Sequence, residues 1–272
     1  MLRFACIAFL MLACEFAIGQ DKVSPIVSYD ITCTFQLTFY PDSTSTIPKT
    51  ESFLLFINQE QSLFKSQNRY LQDSAISASS DRADRHNLIA FLQQHRTDFD
   101  FNIVKHGCNA IQTTDRVYHD YFSYTETQGH LQWALTPDTK TIAGYPAQRA
   151  TTEFGGRTWE AWFTEAVPVS EGPYKFCGLP GLIIRLTDAK KQYDFVLNGL
   201  KQSRREMRDT TPLNVTKTDK RTFFRKRDEY RANPIGVAEQ SGVVFTSGRS
   251  EVAQRVQQKI KSDNNPIEFF IH

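Results

Sequence analysis

Glu171-Gly-Pro-Tyr-Lys-Phe-Cys-Gly-Leu-Pro-Gly-Leu-Ile-Ile184 carries three glycines and two prolines just before an apolar run that reads as a buried strand. Glycine admits positive φ and close backbone approach, whereas proline fixes φ and withholds a backbone donor. Gly172-Pro173 and Gly178-Leu179-Pro180-Gly181 therefore specify a backbone path, and Leu182 and Ile183 open the strand it delivers. The sharpest signal in the chain concerns shape and is silent about chemistry.

Working outward, strands flank this segment on both sides. Leu182 to Thr187 turns at Asp188-Ala-Lys-Lys191 into Gln192 to Leu200, where Tyr193, Phe195 and Leu197 share one face. Upstream, Leu131 to Thr136 leads to a turn at Pro137-Asp138, then Thr141 to Phe154, and Gly155-Gly156 closes a hairpin into Thr158 to Val167. Ile26 to Tyr40, Ser52 to Asn58, Gln61 to Lys65, Phe101 to Cys108 and Arg116 to Tyr124 read as further strands. Between them, Gln67 to about Phe99 is either a helical excursion or a long loop. Short strands joined by tight turns predict an antiparallel meander.

The C-terminal third differs. Lys201 to Arg231 holds eleven Lys/Arg against five Asp/Glu, with Phe223 and Phe224 set among the charges. A solvated helix face is the first reading, and an amphipathic surface helix meeting anionic lipid or an acidic partner the second. Ser250 to Ser262 spaces Val252, Val256 and Ile260 along one helical stripe, and Ile267 to Ile271 could pair as a final strand. The expected fold class is mainly β with helices (α+β): a curved antiparallel sheet or half-barrel with C-terminal helices.

The N-terminus reads as an export signal. Arg3 supplies the positive region and Phe4 to Ala13 an apolar run of about ten residues, too short to span a bilayer. Ala17 and Gly19 place small residues before Gln20. The expected organisation is a signal peptide over 1–19 and a single β-rich domain over 20–272, exported to the periplasm or secreted, without a transmembrane segment. A rival reading takes Leu12-Ala13-Cys14 as a lipobox with Cys14 lipidated. A mature chain of about 250 residues buries roughly 70–75% of its unfolded surface and builds its core without staples. The formal net charge of +2 gives no argument for nucleic acid. Cys33, Cys108 and Cys177 permit one disulfide with the pairing open; buried structural cysteines are preferred to a reactive thiol.

Trp133, Ile142-Ala-Gly-Tyr145, Gly156-Arg157, Trp159, Ala161-Trp162, Pro168, Gly172-Pro173, Gly178 to Ile183 and Asn264-Asn265-Pro266-Ile267-Glu268 occur in that order. In this the chain resembles the GLPGLI family of exported Gram-negative bacterial proteins, named for that hexapeptide. The match covers about Trp133 to Leu200 plus the tail. It departs at Ala147, where the family pattern has a cysteine, so no disulfide is implied there. The resemblance implies export and a β-rich fold, with no established catalytic residues. The half-barrels of periplasmic lipoprotein carriers offer an analogy for the sheet.

Candidate chemistry is sparse. The six histidines show no metal-ligand spacing; His119-Asp120 could form a ligand pair, but surface or core histidines are the preferred reading, and no metal or other cofactor is expected. Nucleophile-elbow, P-loop and dinucleotide motifs are absent. Glu153, Glu160 and Glu165 read as solvated strand residues. On a strand, Arg157, Trp159 and Ala161 share one face while Trp162 takes the other. The first reading is core packing with Arg157 paired to a carboxylate. The second sets Arg157, Trp159, Trp162 and Tyr174 around a ligand. The expected role is a non-enzymatic envelope or periplasmic protein that binds an apolar ligand, a peptide or a protein partner in the concavity of the sheet. The alternatives are a hydrolase with an unrecognised carboxylate or histidine site, and a structural interaction module.

Overall fold

The structure, a computed structural model, describes residues 25–79, 85–127, 131–209, 212 and 214–269; the signal peptide and lipobox readings lie outside them. In chain order the elements are β1 (Ile26–Phe39), β2 (Lys49–Ile57), β3 (Ser62–Ser66), α1 (Gln67–Ala78), α2 (Arg85–Gln94), β4 (Asn102–His106), β5 (Ala110–Val117) and β6 (Asp120–Thr127). They continue with β7 (Ala134–Ile142), β8 (Tyr145–Phe154), β9 (Arg157–Thr164), β10 (Leu182–Asp188), β11 (Tyr193–Arg208), β12 (Val215–Lys217), α3 (Lys220–Ala232), α4 (Pro234–Gln240) and α5 (Arg249–Lys261). Among these residues no helix is long and apolar enough to cross a membrane.

The strands form one twelve-stranded sheet in the order β12-β6-β5-β4-β3-β2-β1-β11-β10-β9-β8-β7. The meander reading holds for the antiparallel pairs, but β12 runs parallel to β6, so the sheet is mixed. Its ends are open, and the sheet must roll. Lys175 binds Tyr124 and Glu126 of β6, while the ring of its neighbour Phe176 lies 5.1 Å from that of Phe154 in β8. β6 and β8 stand nine places apart in the order, which in a flat sheet would be about 43 Å at some 4.8 Å per strand. Two consecutive residues, about 3.8 Å apart at Cα, reach both only if the sheet curls around them.

Alternation explains the inner face. Cys33, Phe35, Leu37 and Phe39 of β1, Phe53 and Leu55 of β2, Phe64 of β3 and Phe195 and Leu197 of β11 join one buried cluster with Trp159, Ala161, Phe176, Leu182 and Leu186. Phe223 and Phe224 dock α3 on Val117 and Tyr124 at the β5–β6 end. On the outer face Tyr29, Leu54 and Phe56 form a separate cluster with Tyr70 of α1. An irregularity between Tyr29 and Ile31 moves Tyr29 to that face, as β-bulges do.

Several boundaries differ from the sequence reading. Pro137-Asp138 is not a turn: β7 runs through it with a register shift between Leu135 and Thr139. The turn falls instead at Ala143 (φ 49°) and Gly144 (φ 83°), splitting the expected Thr141–Phe154 strand. The Gly155-Gly156 hairpin forms with φ of 59° and 74°, the left-handed pair its turn requires. The 67–99 stretch supplies two helices. β11 continues through Lys201 to Arg208, since this half of the basic tract pairs with Ile26 to Thr32. Ile267 to Phe269 is not a strand; it is anchored by the Phe269 amide donating to the Gly155 carbonyl at 2.8 Å. Cys108 is bonded to Cys177, and Cys33 is a buried thiol pushed up to about 12 by burial.

Candidate functional site

Between β9 and β10 the glycine-proline segment crosses the inner face, and its backbone needs the residues the sequence supplies. A Cβ on Gly181 would sit 2.1 Å from the Thr164 carbonyl oxygen, and one on Gly172 would meet the Ile183 side chain at 2.8 Å. Gly178 holds φ at 95°, and Tyr174, although not glycine, holds 55°. Leu179, Leu182 and Ile183 are buried, as is Pro173, while Pro180 is exposed.

Buried cations fasten this segment. Lys105 of β4 donates to the carbonyls of Gly172 (2.7 Å) and Phe176 (3.2 Å) and pairs with Glu171 at 2.6 Å. Lys175 bonds Tyr124 and Glu268, at 3.1 and 2.9 Å, and also Glu126; Lys220 of α3 closes the cluster onto Glu126 and Glu268. Burial would lower the Lys175 amine, but Tyr174, Tyr124, Glu268 and Glu126 outweigh it and hold the amine well above its ordinary value. Burial would likewise raise Glu268, yet Lys175 and Lys220 bring its carboxyl down to about 2. A lysine fixed as a cation and a glutamate fixed as an anion exchange no protons near neutrality, so the cluster fits a latch better than an acid–base pair.

The four residues weighed as ligand contacts are all buried. Arg157 pairs with Asp188 at 2.9 Å, donates to Asn265 and the Pro266 carbonyl, and lies over the rings of Tyr193 and Phe269. Trp159 donates to the Phe154 carbonyl at 3.0 Å and packs against Phe176. Tyr174 donates to Glu268 at 3.0 Å. Trp162 is bonded to Glu160 and covered by Lys140. Trp159, Trp162 and Tyr174 all belong to the one buried core cluster, and Arg157 lies over the ring of its member Tyr193. None of the four lines either of two cavities on the opposite, outer face.

One of these, a hollow of about 350 Å³ over β1, β2 and β11, has Leu54 as its only buried lining residue. The other, of about 290 Å³, draws its walls from five separated stretches: Pro25 to Tyr29, Gln61 to Lys65, Asn102 to His106, Gln112 to Thr114 and Met207 to Asp209. That volume is at the low end of ligand pockets, roughly 300–1,000 Å³. Its floor is ordered by strand register. Lys65, Asn102 and Thr114 stand opposite one another across β3, β4 and β5, and Leu63, Val104 and Gln112 form the adjacent row. The start of β1 and the end of β11, paired beyond the reach of β2, supply the overhanging wall.

Tyr29, Lys65, Asn102 and Thr114 are the buried polar residues of this cavity, and they are unequally satisfied. Lys65 pairs with Asp73 at 2.6 Å; burial lowers its amine, against the pull of Asp73. The Tyr29 hydroxyl accepts from Gln61 at 3.0 Å. Asn102 is 8% exposed, and its Oδ1 has no hydrogen-bond partner among the described residues. Sequence reasoning missed all of these groups. The one signal available was a lysine, Lys65, directly after the apolar pair Leu63-Phe64. Among the described residues no cluster of three or more His, Cys, Asp or Glu side chains could hold a metal.

A family model described as a protein of unknown function (Porph_ging) matches residues 153–185, from the end of β8 through the glycine-proline segment into β10. No curated protein matches the chain. Two solved structures of PNGF-II, in the P21 and C2 space groups, are similar at 14% identity with TM-scores of 0.54 and 0.53. The alignment covers 75% of this chain but 34% and 33% of theirs, so the chain spans about a third of the length of PNGF-II. At that identity the likeness is one of fold.

Proposed function

We propose that the chain is an exported, non-enzymatic binding protein of GLPGLI type, acting in the periplasm or envelope or after secretion, and that the outer-face cavity is its ligand site. The observation that carries this reading is the cavity lined by Asn102, whose buried acceptor lacks a partner, beside a concave side already filled. The inner face, where the sequence reading placed the ligand, is occupied by core side chains and by the 171–181 segment. We assign the half-barrel-like sheet, Arg157, Trp159, Trp162 and Tyr174 to the framework. The open edges are poor docking strands: β12 spans three residues, and β7 carries a register shift with Pro137 inside it.

Native mass spectrometry of the mature protein, recovered gently from the envelope of its own host, tests the reading. A persistent added mass is expected, and it should be missing from a Val104→Trp variant whose cavity floor is filled. A bare protein mass, or an adduct that survives the filled cavity, would overturn it.

A further inference from the structure

We propose that the outer-face cavity binds a short, uncharged peptide in extended conformation, through one residue whose N–H is donated to Asn102 Oδ1 and whose C=O accepts from the Thr114 hydroxyl. This rests on reading that cavity as the ligand site. Three observations lead to it.

The first is the acceptor. Asn102 lines the cavity, is 8% exposed, and leaves Oδ1 without a partner among the described residues. A buried carbonyl without a donor is costly, so the missing partner is an N–H or O–H brought from outside. The second is register. Asn102 and Thr114 are opposite one another on β4 and β5, with Cβ atoms about 4.5–5.5 Å apart in such a pair. An acceptor and a donor side by side match one residue of an extended chain, whose N–H and C=O point to the same side. An alcohol or a lone carbonyl would use only one of the two.

The third is charge and polarity. The Lys65 ammonium is met by Asp73 at 2.6 Å, and Arg208 is followed directly by Asp209 on the overhanging wall. Lys65 and Arg208 of the lining are offset by Asp209 beside them and by Asp73 behind it, so a charged ligand would lose hydration without a net counter-charge. Leu63 and Val104 form the apolar part of the row next to the polar one, which ends at Gln112, and Val27 and Met207 of the arm complete the apolar lining. The bound residue thus has a polar edge along Asn102 and Thr114 and an apolar flank.

The probe is N-acetyl-leucyl-leucine N-methylamide, compared with depsipeptides in which an ester oxygen replaces one N–H at a time. Binding is read by titration calorimetry on the mature protein. In the wild type one ester substitution should weaken binding about tenfold, the effect of one hydrogen bond. Asn102→Leu should bind the all-amide probe about tenfold less tightly and no longer distinguish amide from ester. The ester comparison needs no variant, so the test survives an Asn102→Leu protein that fails to fold. Equal binding of amide and every ester by the wild type, or unchanged discrimination in Asn102→Leu, overturns the peptide assignment. A host-derived adduct lost in Val104→Trp but no binding of the probe sinks the peptide alone. No adduct and no probe binding sinks both readings.

Discussion

The two faces of the sheet bury charge to different ends. On the inner face every buried cation meets its partners within the chain: Lys105 holds Glu171 and two loop carbonyls, Lys175 holds Glu126 and Glu268, and Arg157 holds Asp188 and the tail. These contacts join segments far apart in sequence, and they explain why the sheet closes around a short loop. On the outer face Lys65 and Asp73 pair, yet beside them a hollow remains whose lining residue Asn102 has an acceptor with no donor. Unpartnered buried polar atoms occur on the inner face too, at Ser62 Oγ, Thr113 Oγ1 and Arg157 Nε, but among the described residues that hold such atoms only Asn102 lines either cavity.

The largest expected effect comes from breaking the inner latch. Lys175→Met removes the cation between Glu268 and Glu126 and leaves buried carboxylates short of a counter-charge, with only Lys220 still close. Removing one partner of a buried pair costs about 3–5 kcal/mol. Urea unfolding followed by tryptophan fluorescence should show a loss of that size with an unchanged slope. A loss below about 1 kcal/mol would mean the inner charges are ornamental and the contrast between faces is void.

Acid should sharpen the same comparison. Burial opposes ionisation of Glu268, but Lys175 and Lys220 outweigh it and place its carboxyl at about 2 against an ordinary 4.5. A depressed carboxyl contributes stability that is fully present above about 4.5 and lost as pH falls through the folded value near 2. Wild-type stability should therefore decline across that window. Glu268→Gln should be less stable at pH 7 and show a shallower decline from pH 4.5 to 2. Parallel acid curves for the two proteins would show that the latch does not depend on this ionisation.

How far the chain could be read in advance follows the same division. The 171–184 path was legible because glycine and proline state backbone demands locally: Gly181 admits no Cβ against the Thr164 carbonyl, and Gly178 needs positive φ. β1 and the β10–β11 hairpin were legible through alternation of large apolar residues such as Phe35, Leu37, Tyr193 and Phe195. Pro137-Asp138 misled because a turn signal and a bulge at an edge strand use the same residues. The basic half of β11 hid because exposed strands need no apolar period. Nothing in the sequence marked Lys105 and Lys175 as buried, since a lysine's burial is decided by carboxylates up to 93 positions away. The outer cavity was invisible for the stronger reason that five stretches build it and none carries a motif.

The smallest expected effect is the most discriminating. Asn102→Leu replaces a buried carboxamide, whose oxygen has no partner, with an apolar group of similar volume. Where no internal hydrogen bond is lost and a desolvated acceptor is removed, stability should stay within about 1 kcal/mol of wild type or rise slightly. If the outer face has a ligand-facing role, ligand binding falls while the urea midpoint holds or increases, the stability–function exchange typical of binding sites. A loss of 2–3 kcal/mol in the ligand-free protein, the cost of breaking a buried hydrogen bond, would reverse the assignment. Asn102 would then be framework, as Lys175 is, and the two faces would differ in shape alone.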